Sequence, residues 1–310
     1  MTSIFTTDHG KHTPLSAPQP GAWIHLCAPD EAEINEVCQI TGADAGLVRA
    51  ALDEEERSRI DTEDTSTLVL VDTPMVEVQG RSFVYSTLPF GIVLTPEYII
   101  TVCLKESALA RAFTENAVKN FSTKKRNRFT LQMLYRNATM YLSYLREVDK
   151  ASTRVENELH LSMKNKELIQ MLGLEKSLVY FSTSLKGNEI VMEKLLRADF
   201  VRDYPDDTEL LEDVIIENKQ AIEMCNIYRD ILSGTMDAFA SVISNNLNIV
   251  MKVLAVITIV LTIQNIVFSL WGTNVNVPFQ NSPFGFLTVI SIAIVCTLGS
   301  VIFMRIKKWF

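Results

Sequence analysis

The sequence predicts an α/β domain that leads through one long helix into a C-terminal pair of membrane-spanning helices. Three observations predict it. From Val253 to Met304, 52 residues pass without one Asp, Glu, Lys, Arg or His. They fall into two apolar segments around a Gly/Asn/Pro-rich break, and a bilayer core takes roughly 20 apolar residues per helical span. From Ala22 to about Lys105, short runs rich in Val, Ile, Phe and Tyr alternate with helical patches, the pattern of a layered α/β domain. Between Thr208 and Trp271 there is no Pro and only one Gly, Gly234, so one helix of about 95 Å is expected at ~1.5 Å per residue.

The elements follow in order. Residues 1–20 read as a flexible tail, because Pro14, Pro18 and Pro20 exclude a helix and little is apolar. Residues 21–207 form the α/β domain. Its predicted strands are Trp23–Cys27, Thr67–Asp72, Ser82–Leu88, Gly91–Leu94 and Tyr98–Leu104. Helices are expected at Asp30–Gln39, with Asp30 as N-cap, and at Ala43–Asp53. After Ser107 the pattern is helical. Phe129–Met171 carries Leu131, Leu134, Ala138, Tyr141, Leu142, Leu145 and Val148 at three-and-four spacing, and Leu178–Phe200 is a second helix. Pro205 to Thr208 marks a turn and an N-cap. Residues 208–250 are a stalk helix, 251–271 the first span, 272–284 a loop, 285–304 the second span and 305–310 a basic tail.

The chain carries −8, and Lys252, Arg305, Lys307 and Lys308 are the only charges after residue 251, which leaves −12 on residues 1–251. So acidic a body attracts cations and not nucleic acid. The basic residues flank the spans while the intervening loop has none. Positive-inside bias then places both ends in the cytoplasm and the loop outside, in a multi-pass cell (inner or plasma) membrane protein. Trp271, Trp309 and Phe310 stand where interfacial aromatics are expected. Five scattered cysteines without a C-x-x-C pair suit a reducing compartment. No phosphate loop, nucleophile elbow or zinc-ligand spacing is present, so no enzyme is expected and no covalently bound cofactor. His9-Gly-Lys-His12 beside Asp8 has transition-metal ligand types.

The polar residues in and just before the first span share one register, joined through Met251 and Ala255, with Gln264, beside the stripe, the exception. Asn248, Met251, Ala255, Thr258, Thr262, Asn265 and Ser269 follow steps of three and four, a single helix face with a seven-residue repeat. One such residue usually serves helix packing or bonds its own backbone. Five on one face, with no Leu, Ile or Val there, call for water or partners. A seven-residue repeat meets copies of itself, so several chains with the stripe inward would ring a wet path with neutral oxygens. Mg²⁺ sheds water reluctantly, and such oxygens hold it through its hydration shell.

The run Leu270-Trp271-Gly272-Thr273-Asn274 follows Asn245-Asn246-Leu247-Asn248-Ile249-Val250-Met251-Lys252, and a short loop, a second span and a basic tail come after. This resembles the CorA family of divalent-cation channels, whose signature at this place is Gly-Met-Asn. Ala50–Asp61, Phe121–Arg128 and Tyr141–Asp149 also look similar to family members, and the resemblance covers nearly everything after residue 20. It implies a funnel-shaped homopentamer in the lipid bilayer. A cytoplasmic α/β domain leads into a stalk that becomes the pore-lining span, and Mg²⁺, with Co²⁺ or Ni²⁺, is the substrate. It further implies Gly272, Thr273 and Asn274 at the outer mouth, with pore-facing Asn265, Met251 and Asn248 below. A basic collar of Lys252, Arg305, Lys307 and Lys308 and a regulatory Mg²⁺ site among Asp206, Asp207, Glu209, Glu212 and Asp213 complete it. The plain alternative for those acids is complementing the helix dipole. Two departures stand out. Thr273 replaces Met, a position that the zinc-transporting branch also varies, and the span lacks the Pro common in the family near Gln264. They leave two other readings open: a Zn²⁺ transporter on the same scaffold, or a non-conducting, membrane-anchored cation sensor.

Overall fold

The computed structural model describes residues 1–8, 11–79, 82–115, 118, 121–162, 165–198, 200, 205–279 and 282–307. The chain divides into two compact units, Met1–Thr235 and Met236–Phe310.

The first unit is built on a seven-stranded sheet, ordered β2-β1-β3-β7-β6-β5-β4. The strands are β1 (Thr2–Asp8), β2 (Lys11–Pro14), β3 (Trp23–Cys27), β4 (Arg59–Glu63), β5 (Ser66–Gln79), β6 (Ser82–Leu94) and β7 (Ile99–Cys103). Only β3 and β7 run parallel, with Trp23 opposite Ile99 and Cys27 opposite Cys103. Side chains alternate between two buried faces. Ile24, Leu26, Leu68, Leu70, Val93, Ile100 and Val102 pack with Ile34, Val37, Leu47 and Val48 of α1 (Glu31–Thr41) and α2 (Ala45–Ala50). On the other face Trp23, Val69, Val71, Phe90, Ile92 and Ile99 pack against α3 (Ala108–Thr114), α4 (Arg126–Ser162), α5 (Asn165–Arg197) and the start of α6 (Pro205–Trp271). Phe129 anchors that layer, stacked on Phe121 at 5.1 Å and edge-on to Trp23 at 5.3 Å.

The expected caps are present. Asp30 Oδ1 accepts from Glu33 N at 2.8 Å and Asp30 N donates to Glu33 Oε2 at 3.1 Å, a capping box that starts α1. Several expectations are corrected. Residues 1–20 are not a flexible tail: β1 lies between β2 and β3 with Ile4 opposite Ile24, and Phe5 packs on Trp23 at 5.1 Å. The prolines do not forbid this, because Pro14 ends an edge strand and Pro18 and Pro20 follow it. The predicted strands Ser82–Leu88 and Gly91–Leu94 are one strand. Pro89 interrupts nothing, since β6 meets β7 only from Phe90 onward and the Pro89 side of the ribbon has no further strand to bond. Residues 165–171, expected in the first long helix, belong to α5. α6 begins at Pro205, so Asp206 and Asp207 sit inside its first turn and the stalk starts before residue 208.

The second unit contains the C-terminal part of α6 and α7 (Gly285–Ile306), which runs two residues beyond the expected second span. Both helices are long and apolar enough to cross a membrane. His9, Lys308, Trp309 and Phe310 lie outside the described residues.

Candidate ion-conduction site

The site is read from α6 within the second unit. Between Met251 and Trp271 the α6 residues at least partly shielded from solvent are Val256, Ile259, Val260, Ile263, Gln264, Val267 and Trp271, with Val267 only 7% exposed. A groove lined by Gln264 and Phe268 together with Ile290, Ala293, Ile294 and Thr297 shows that α7 lies on this side. Each polar stripe residue stands two positions from a shielded one: Thr258 from Val256, Thr262 from Val260, Asn265 from Ile263 and Ser269 from Val267. Two positions are about 200° round a helix of 3.6 residues per turn. The stripe therefore faces away from α7, and Asn248, Met251, Thr258, Thr262, Asn265 and Ser269 are all exposed in the single chain.

The hydroxyls are arranged in a common way. Thr258 Oγ1 donates to Leu254 O at 2.9 Å and Thr262 Oγ1 donates to Thr258 O at 2.7 Å. With the hydroxyl hydrogen spent on the preceding turn, the outward face of each oxygen offers lone pairs only. Thr273 repeats the device beyond the helix end, donating to Leu270 O at 2.9 Å. Thr262, Asn265, Ser269 and Thr273 line one open groove of about 460 Å³. Gly272 closes the last helical hydrogen bond onto Phe268 O at 2.9 Å, where a Cβ would stand 3.2 Å from that same carbonyl. Trp271 Nε1 donates to Pro278 O at 3.2 Å and ties the loop back. Asn274, Lys252, Arg305 and Lys307 are exposed.

The structure does not bring the acidic residues of early α6 into one ligand set. Among the described residues no group of three or more His, Cys, Asp or Glu side chains is placed to hold a metal ion. Asp207 is 4% exposed and paired with Arg128 at 2.7 Å, which ties α6 to the start of α4, whereas Asp206, Glu209, Glu212 and Asp213 are exposed. Sequence reasoning missed Thr297, whose Oγ1 is buried with no partner among the described residues, in the groove that Gln264 lines. The signal is a Thr amid the aliphatic residues of α7.

The sequence profile of the CorA-like Mg²⁺ transporter protein family matches residues 19–308. The chain belongs to this family. The cobalt/magnesium transport protein CorA of Methanocaldococcus jannaschii is 26% identical to it over 302 residues, which cover 93% of this chain and 90% of that one. The complete structure of the CorA magnesium transporter from the same organism matches with a TM-score of 0.85 at 21% identity, over 100% of this chain and 99% of that one. The cytoplasmic domain of ZntB from Vibrio parahaemolyticus matches with a TM-score of 0.55 at 14% identity, over 79% of this chain and 96% of that one. An α/β domain, a long helix and a C-terminal apolar helix pair are thus the CorA fold. CorA proteins are divalent-cation transporters of the membrane and not enzymes, and this chain is one of them.

Proposed function

We propose that five copies of the chain line a water-filled pore with the α6 stripe and pass Mg²⁺, or Co²⁺ and Ni²⁺, into the cytoplasm. The observation that carries this reading is the orientation of the stripe, about 200° from the face that α7 covers. Neutral oxygens of Asn265, Thr262, Thr258 and Ser269 meet the water shell of the ion without stripping it, so the ion is held and still released. Asn274 meets the hydrated ion at the outer mouth, and Met251 and Asn248 line the cytoplasmic end. Lys252, Arg305, Lys307 and Lys308 flank the spans and keep both termini in the cytoplasm. The membrane potential then drives entry with about 2.3 kcal/mol per charge per 100 mV. The exposed Asp206, Glu209, Glu212 and Asp213 are the carboxylates left for a regulatory Mg²⁺ between copies, since Asp207 is engaged by Arg128.

Purified protein in liposomes, with an inside-negative potential and Mg²⁺ or Zn²⁺ outside, tests the reading. Mg²⁺ uptake is expected to exceed Zn²⁺ uptake, and Asn274→Ala to reduce it. Faster Zn²⁺ uptake would assign the chain to zinc, a reading that Thr273 in place of Met favours. No uptake of either ion would leave a membrane-anchored sensor.

A further inference from the structure

The single parallel contact of the sheet ends in a crevice with the marks of a ligand site. From β3 the chain turns to α1 on one face of the sheet, and from the adjacent β7 it turns to α3 on the other. In open α/β sheets this divergence of neighbouring strands opens a crevice at their carboxyl ends, where ligands bind. A cavity of about 320 Å³ lies here, lined among others by Phe5, His25, Cys27, Glu106, Ala110 and Arg111, a size that takes a small molecule.

His25 supplies the decisive detail. It is 9% exposed, and its Nδ1 lies 2.8 Å from Thr101 Oγ1, which also accepts from Trp23 Nε1 at 2.8 Å. The indole can only donate, and among the described residues the fully buried Thr101 hydroxyl has no other acceptor for its hydrogen than His25 Nδ1. That fixes the tautomer with the hydrogen on Nε2. Among the described residues nothing accepts from Nε2, and this atom is not sealed from solvent, so its hydrogen opens into the crevice, where water or a ligand can accept it. On the rim, Arg111 Nε lies 3.3 Å from Glu106 Oε1, and both side chains reach solvent, Arg111 about half exposed and Glu106 more so. The Met1 ammonium on the same rim is already engaged, donating to Cys27 O at 2.9 Å and Glu33 Oε2 at 3.0 Å. One cationic and one anionic group stand side by side above a neutral donor, against the apolar walls of Phe5 and Ala110.

We propose that this crevice binds a small zwitterion of the α-amino acid class. The ligand carboxylate accepts from His25 Nε2–H and Arg111, its ammonium meets Glu106, and its side chain lies on Phe5 and Ala110. The site belongs to the α/β unit and stands independently of what the membrane helices conduct.

Calorimetric titration of the full-length protein in detergent tests this, using L-leucine and L-alanine, then 4-methylpentanoate, which lacks the amine, and 3-methylbutylamine, which lacks the carboxylate. One leucine per chain is expected, with each truncated analogue at least tenfold weaker. Arg111→Gln and Glu106→Gln, on the exposed rim, should each weaken leucine at least tenfold without altering the fold, and keep the test valid if a His25 variant does not fold. Binding of 4-methylpentanoate as tight as that of leucine would overturn the zwitterion assignment. No heat from either amino acid, or equal affinity in Arg111→Gln, would overturn the site.

Discussion

Asn188 stands in for a missing strand. β4 accompanies β5 only as far as Leu70, and at Asp72 the outer edge of β5 has lost its neighbour. The fully buried Asn188 of α5 takes that place: its Nδ2 donates to Asp72 O at 2.8 Å and its Oδ1 accepts from Asp72 N at 2.8 Å and from Ser58 Oγ at 3.1 Å. Gly187 beside it lets the helix come this close, since a Cβ there would stand 3.2 Å from Ser58 Oγ. Asn188→Leu strands the Asp72 N–H and the Ser58 hydroxyl, so a loss of about 2–3 kcal/mol is expected, measured as a lower melting midpoint with the helix content retained. His25 sets a second residue-scale expectation. Burial, followed by the nearby N-terminal ammonium, lowers its pKa from 6.5 to about 4. Because the unfolded chain takes the proton first, stability is whole above pH 6.5 and falls as pH drops toward 4. The difference is worth at most about 3 kcal/mol. The midpoint of the wild type should fall faster on acidification than that of His25→Gln; parallel curves between pH 6.5 and 4 would show that burial of His25 does not set the dependence.

At the scale of the element, α6 turns one half of its circumference to α7 and leaves the other exposed. The half facing α7 is Val256, Val260, Ile263 and Val267, and the other half is the stripe. Removing one ring of oxygens by Asn265→Leu should lower Mg²⁺ flux about tenfold, the equivalent of roughly one hydrogen bond to the hydrated ion. Val260→Leu, on the α7 side, should leave flux within twofold. Equal losses at both positions would mean that packing, not the wet face, governs transport. The stripe was legible because a seven-residue repeat is a local property of the sequence, and so were Trp23–Cys27 and the Asp30 cap. Other elements were not. Thr-rich β1 reads as tail and charged β4 (Arg-Ile-Asp-Thr-Glu) as no element, because pairing with β3 and β5, not their own apolar content, makes them strands. Pro89 read as a strand end because its harmlessness depends on where β7 stops. The crevice around His25 was equally hidden: its donor is defined by Thr101, a residue 76 positions away.

The molecule as a whole exposes more apolar surface than one chain can cover. Only 6% of each span is buried inside the chain, so the remainder meets lipid or other copies. Lipid does not account for the α/β unit. There Ile169, Leu172, Val179 and Ile190 of α5 and Ile216, Ile227 and Ile231 of α6 are exposed, outside the span segments. Ile227 and Ile231 lie one turn apart on a single face. Covering an isoleucine is worth about 1.5–3 kcal/mol, so a handful per chain at a repeated contact is enough to hold an assembly whose soluble parts otherwise repel through their shared negative charge. Ile227→Asp with Ile231→Asp places two carboxylates on that face without touching the core of the unit. If copies meet there, the particle mass in detergent should fall from the proposed five chains toward the single-chain 34.9 kDa. Mg²⁺ flux should vanish with it while the helix content stays, because a stripe without neighbours encloses no path. A particle that keeps its mass would move the contact between copies away from this face of α6, and flux retained in a single-chain particle would remove the reason for the stripe to repeat every seven residues.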